Sequence, residues 1–295
     1  MMWPRCVLCG SDRHARIVFE ARDWEYGVPG AWAVACCQGC GFYPSTYSAY
    51  SQEPATGWMF RLTYWLDARR VARLIGRRGT VLDVGCGNGA ALAAMRAYGD
   101  WELWGVELDQ EAAAQASRLA LRVVNGALEA GELPAGRFDL IRMGHVIEHV
   151  LDPVSTLRRA YELLRPGGAL FGETPNTDCW DFRLFGRYWG ALHVPRHITL
   201  FDARNLTAAL LDAGFVGVRI RPRLRTVGWS AGMQNFLAHR FGLHVPPEGR
   251  VRWYPLLIIA CLPLTVLQAL VSRPATIAFV ARKPPTGGPV AAAAR

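Results

Sequence analysis

Val81-Leu82-Asp83-Val84-Gly85-Cys86-Gly87-Asn88-Gly89 constrains this chain more than any other stretch. Apolar residues broken by a single acid run into glycines at every second position, the pattern of a buried parallel strand that ends in a tight turn and opens a helix. Strand and helix signals then alternate. Strands are expected at 80–85, 102–107, 122–125, 138–143 and 169–174, and helices at 89–98, 110–120 and 153–164, the last started by Asp152-Pro153 and stopped by Arg165-Pro166-Gly167-Gly168. This order predicts an α/β fold, a mostly parallel sheet of the Rossmann-like kind with helices on both faces.

The glycines alone leave two readings. Gly85, Gly87 and Ala90 satisfy a dinucleotide fingerprint, and Glu107 stands where a ribose-binding acid belongs. A pyrophosphate at the helix N-terminus would meet the Asp83 carboxylate, so a cationic ligand suits the turn better. Three further runs follow in order: Trp104-Gly105-Val106-Glu107-Leu108-Asp109, Phe138-Asp139-Leu140-Ile141 leading to Glu148-His149, and Leu164-Arg165-Pro166-Gly167-Gly168. Together the four resemble the motifs of class I S-adenosylmethionine-dependent methyltransferases over roughly 80–215. The resemblance implies a seven-stranded sheet and S-adenosylmethionine as cofactor. It places Gly85 and Gly87 at the aminocarboxypropyl group and Glu107 at the ribose hydroxyls, with Asp83, Gly89, Leu108, Ala127, Leu128 and Gly144 as further cofactor-binding residues. An acid often stands where this chain has Ala127, so backbone groups of 125–128, or Glu129, would serve the adenine instead.

Methyl transfer from a sulfonium asks mainly for orientation, plus removal of a proton when the acceptor is a hydroxyl. His145-Val146-Ile147-Glu148-His149 follows the fourth strand. It resembles the E-x-x-E-H of ubiquinone-biosynthesis O-methyltransferases, where the acids hold a divalent metal near the acceptor. Here His145 replaces the first acid, which leaves a metal near Glu148 and His149, or a base, as alternatives. His193-Val194-Pro195-Arg196-His197, after an aromatic-rich insertion, suits a ring or glycan acceptor with a negative charge nearby. Any of His145, His149, His193 and His197 could be the base. The expected acceptor is a small molecule: a quinone-like, lipid-linked or glycan hydroxyl. A zinc-ribbon ribosomal RNA methyltransferase and a sugar C-methyltransferase are the alternatives.

Cys6-Val7-Leu8-Cys9-Gly10 and Cys37-Gln38-Gly39-Cys40-Gly41 are two C-x-x-C-G knuckles around short strands at 17–20 and 31–35. The spacing predicts a zinc ribbon over 1–45 with structural zinc on Cys6, Cys9, Cys37 and Cys40, although Cys36 adjoins the third ligand. Eight cysteines with no secretory segment ahead of them point to the cytoplasm. A linker and N-terminal helices are expected over 46–79, the methyltransferase domain over 80–283 and a disordered tail over 284–295. The net charge of +9 rests on arginine, since Lys283 is the single lysine, and gives only modest grounds for nucleic acid. Over Val216 to Arg225 the alternation puts Val216, Val218, Ile220 and Leu224 on a core face and Arg219, Arg221, Arg223 and Arg225 on a basic stripe.

An apolar helical insertion, 253–272, includes eighteen uncharged residues flanked by Arg250, Arg252 and Arg273. A crossing would strand the following strand, 275–281, on the wrong side of the membrane. The segment is expected as a helical hairpin peripheral at an anionic inner membrane face, or as an apolar cap on the domain. Nothing in the sequence names an oligomeric state.

Overall fold

The computed structural model describes residues 5–12, 15–24, 27–44, 58–246, 250–271 and 273–286. Most of the expected linker and tail lies outside them. The strands are β1 (Arg16–Ala21), β2 (Trp32–Cys36), β3 (Tyr43–Pro44), β4 (Arg78–Val84), β5 (Asp100–Glu107), β6 (Arg122–Asn125), β7 (Phe138–Gly144), β8 (Leu164–Pro175), β9 (Thr199–Leu200), β10 (Val216–Arg223) and β11 (Thr276–Arg282). The α-helices are α1 (Trp58–Ile75), α2 (Ala90–Met95), α3 (Gln110–Arg118), α4 (Pro153–Leu163), α5 (Trp180–Phe185), α6 (Ala203–Asp212), α7 (Val227–Phe241) and α8 (Tyr254–Leu270).

Seven strands form one sheet in the order β10-β11-β8-β7-β4-β5-β6. β4 to β8 run parallel, and β11 pairs antiparallel with both β8 and β10. Near-continuous apolar runs in the middle strands fit this topology, because helices cover both faces: Val81, Leu82, Leu140, Ile141 and Leu170 are fully buried. The helix starts follow from their caps. Asp109, Asp152 and Asp202 each accept hydrogen bonds from the first-turn backbone, and Asp202 forms a reciprocal capping box with Asn205. The parallel strands end side by side at Val84, Glu107 and Gly144, which is where an open α/β sheet places its ligand.

Four sequence expectations change. The run expected only to stop α4, Arg165 to Gly168, belongs to β8, because Gly167 and Gly168 exchange backbone hydrogen bonds with Lys283 beyond β11. The stripe on β10 breaks at Pro222: Arg219 and Arg221 are exposed, but Arg223 turns inward to Glu173 and Leu224 faces solvent. The uncharged insertion is a single helix, α8, continuous through Pro263, and it packs on α7, a helix the sequence did not announce. The ribbon, expected as a module of its own over 1–45, is docked: β3 pairs with β9, and Cys37 and Phe42 join the main core beside Phe201.

Candidate active site and metal centre

The turn after β4 is braced by Glu107. Gly85 and Cys86 donate to the Val106 carbonyl, and Gly87 N donates to Glu107 Oε2 at 2.7 Å. Asp109 N donates to Glu107 Oε1 at 3.0 Å, so the carboxylate sits at the mouth of the turn with both oxygens oriented. Gly85 has φ 68°, and a Cβ there would lie 2.8 Å from Val146 Cγ2; at Gly89, φ 77°, it would strike Leu121 and Ala116. This glycine cradle with a carboxylate at the neighbouring strand end fits a nucleoside ribose and an amino-acid tail. Gly144 ends β7 beside it, Leu108 and Ala127 are exposed, and Leu128 is buried. Asn125 Nδ2 ties this rim by donating to the Glu107 and Leu108 carbonyls. Glu129, named as an adenine partner, is engaged by Thr156 Oγ1.

Asp83 differs from its expected state. Both its oxygens lie 2.8 Å from Arg142 Nη1, and burial pushes its carboxyl up against the pull of that guanidinium. Its charge therefore reaches the turn already compensated. Arg142 Nη2 continues to Asp67 at 3.0 Å, Arg70 bridges Asp67 to Glu173, and Arg223 and Arg225 close on Glu173. This buried network joins α1, β4, β7 and β8 beneath both halves of the site. Arg142 and Glu173 carried no sequence signal, because their partners lie far along the chain.

A cavity of about 380 Å³ opens at the ends of β7 and β8, lined by His145, His149, Pro175, His193, His197 and Arg225 among others. All four histidines named from sequence thus meet in one place, and Glu148 lies fully buried beneath them. His145 adopts φ 57° and His193 φ 43°, a conformation uncommon outside glycine and typical of sites where surrounding contacts dictate the backbone. Burial pulls the His145 pKa down, but the 3.0 Å hydrogen bond from Nδ1 to Glu148 Oε1 and the charges of Glu148 and Glu173 together outweigh it and raise the value. Thr174 Oγ1 donates to the other Glu148 oxygen at 3.0 Å.

His149 and His197 go the other way. Each faces a carbonyl through Nδ1 at 3.0 Å, Arg196 O and Ala191 O respectively. A carbonyl only accepts, so Nδ1 carries the proton and Nε2 the lone pair. Burial lowers both pKa values. One donor atom each from Glu148, His149 and His197 lie within 4.8 Å of one another, a spacing compatible with an ion, although both Glu148 oxygens already hold hydrogen bonds. Arg196, expected beside a negative acceptor, lines the same cavity but is already paired there: it makes a buried two-pronged pair with Asp23 of the ribbon, at 2.8 and 2.9 Å.

In the ribbon the four predicted thiols converge. Cys6 Sγ lies 3.8 Å from Cys40 Sγ, and Cys9 Sγ 3.8 Å from Cys37 Sγ. A tetrahedron with metal–sulfur bonds of about 2.3 Å has sulfur–sulfur edges of about 3.8 Å, so the set is shaped for zinc. Cys36 stands apart, its thiol turned to the Cys37 carbonyl.

Comparison with known proteins bears on this geometry. Residues 58–220, more than half of the chain, match the family described as a methyltransferase domain. A ubiquinone biosynthesis O-methyltransferase of Pseudomonas paraeruginosa is 37% identical over 142 residues, 45% of this chain and 59% of that protein. The match thus spans little more than half of that relative's length. Among solved structures, a SAM-dependent methyltransferase from Archaeoglobus fulgidus has a TM-score of 0.50 at 19% identity, covering 76% of this chain and 94% of that one. Phosphoethanolamine N-methyltransferase 2 of Haemonchus contortus, in complex with S-adenosyl-L-methionine, has 0.50 at 16% identity, covering 77% and 53%. Glycine turn, strand-end carboxylate, sheet order and family match agree, and the chain belongs to the class I S-adenosylmethionine-dependent methyltransferases.

Proposed function

We propose that the chain methylates a hydroxyl of a small-molecule acceptor held in the histidine-lined cavity, with His149 as general base. The observation that carries this reading is contiguity: Val146 abuts Gly85 of the cofactor turn while its neighbour His145 lines the cavity. The bound cofactor supplies an electrophilic methyl on a sulfonium. The protein supplies position and proton removal. In this assignment Glu107 and the backbone of 85–89 hold the cofactor, with Leu108, Ala127, Leu128 and Gly144 around it. Proton transfer to His149 Nε2 is supported by the Nδ1–H that the Arg196 carbonyl anchors. The His145–Glu148 pair orients the turn that carries His149. A divalent ion on Glu148, His149 and His197 is the second reading, favoured by their spacing. Four ribbon thiols within 4.8 Å of one another, two of the pairs at 3.8 Å, support structural zinc. A quinone-like or lipid-linked hydroxyl is the acceptor class that the O-methyltransferase relative suggests, and that relative favours neither the ribosomal RNA nor the sugar C-methyl reading.

The test is methyl transfer from radiolabelled S-adenosylmethionine to a panel of catechol, hydroquinone and prenylated phenol acceptors, with and without EDTA. O-methylated product in EDTA supports the base mechanism. Activity lost in EDTA and restored by magnesium moves the assignment to the metal. Product methylated only on nitrogen or carbon sinks the hydroxyl reading.

A further inference from the structure

Helix α8 is inside out. Its buried positions are Tyr254, Cys261, Thr265 and Gln268, and most of these are polar. Tyr254 Oη and Ser230 Oγ share a hydrogen bond of 2.9 Å. Gln268 accepts from Trp229 Nε1 at 2.7 Å and donates to Asp181 Oδ1 at 2.6 Å. The outer surface carries Leu256, Ile259, Leu262, Leu267 and Leu270, with exposures of 66, 67, 48, 48 and 76%. No charge interrupts the run from Tyr254 to Val271. A helix whose outer face meets water has the opposite arrangement, and a contiguous exposed apolar surface of this kind marks a partner.

Charge identifies the partner. After Asp212 the chain has one acid, Glu248, against ten arginines and Lys283, so the excess of +9 is concentrated there. Arg250 and Arg252 precede α8 and Arg240 closes α7, all exposed. Arg240 and Arg250 lie over the rings of Phe241 and Tyr254, and among the described residues no acid pairs with any of the three. A second copy would set this positive rim against its own like. An anionic bilayer offers opposite charge for the rim and acyl chains for the ridge. At about 1.5 Å per residue, the 17 residues of α8 span about 25 Å, short of an about 30 Å hydrocarbon core, and no helix among the described residues is long and apolar enough to cross a membrane. β11, which follows α8, is paired inside the sheet.

We propose that α8 and its flanking arginines are a seat for an anionic bilayer surface, with the helix lying in the boundary between headgroups and acyl chains. The histidine-lined cavity extends to Arg250 and Tyr254, the entry to α8, so this seat opens it at the leaflet surface. The acceptor is then an amphiphile that stays in the leaflet while its head enters the cavity. That last step rests on the methyl-transfer reading; the seat does not.

Flotation of the full chain with vesicles of phosphatidylcholine alone, or mixed with phosphatidylglycerol, tests the seat without any acceptor. The chain should float only with phosphatidylglycerol and detach as salt rises. Arg252→Glu should weaken binding roughly tenfold. Leu256→Ser, Ile259→Ser and Leu270→Ser combined should abolish it, while S-adenosylhomocysteine affinity stays at the wild-type value and so reports an intact fold. Absence of flotation on anionic vesicles overturns the proposal, as does equal binding to phosphatidylcholine alone. A dimer by light scattering that the triple variant dissolves, with no vesicle binding by either protein, overturns it in favour of a second copy. Failure of the methyl-transfer reading would show separately, as wild type that floats but does not bind S-adenosylhomocysteine.

Discussion

Glu107 orients the glycine turn through Gly87 N, and in the proposed assignment the same carboxylate also receives the ribose hydroxyls. Glu107→Ala should therefore weaken S-adenosylhomocysteine binding by about 2 kcal/mol, roughly thirtyfold, by isothermal titration; unchanged affinity would remove the ribose assignment. For the base, the sign of the pKa shift makes the prediction. A base works deprotonated, so rate falls as pH drops through its pKa, and burial lowers His149 from 6.5. The acid limb of kcat/KM should lie below the ordinary imidazole value, and His149→Gln should remove that limb while lowering kcat by about 100-fold. A limb at or above the ordinary value would point to another group. The sequence could name four histidines but not choose among them. Which nitrogen keeps its lone pair depends on the carbonyl met by the other, and Arg196 O comes from a loop 47 residues further on.

The loop at 193–197 and the ribbon meet through Arg196 and Asp23. Removing one partner of a buried pair leaves the other charge stranded, so Arg196→Ala should cost about 3–5 kcal/mol in urea unfolding, and Arg196→Lys less. Equal stability of Arg196→Ala and wild type would mean that the pair is not formed in solution. Within the ribbon, plasma emission analysis should find one zinc per chain. Cys37→Ser should lose it and Cys36→Ser keep it, because only the former thiol faces Cys9. The reverse result would exchange the ligand. The knuckles were legible because their spacing is local. The Asp23–Arg196 pair, 173 residues apart in sequence, was not.

The whole molecule ties its two metal-sized clusters to one piece of structure. The ribbon packs on the main core through Phe42 and Phe201, pairs β3 with β9, and holds the loop at 193–197 through Asp23. Chelation of the ribbon metal should therefore raise hydrogen exchange over 190–200 as well as over 5–44, while the glycine turn stays protected; exchange confined to the ribbon would show that the docking carries no load. The sequence by itself determined the parallel sheet, the glycine turn after β4, the start of α4 at Asp152 and the four knuckle thiols, since each follows from a period or spacing within a few residues. Tertiary structure decided the rest. It compensated Asp83 with Arg142, turned Arg223 inward to Glu173, and spent Arg196 on Asp23. It also made the insertion one helix with its polar side inward, because the hydrogen-bond partners that bury Gln268 and Tyr254 lie on α5 and α7 and are brought there only by folding.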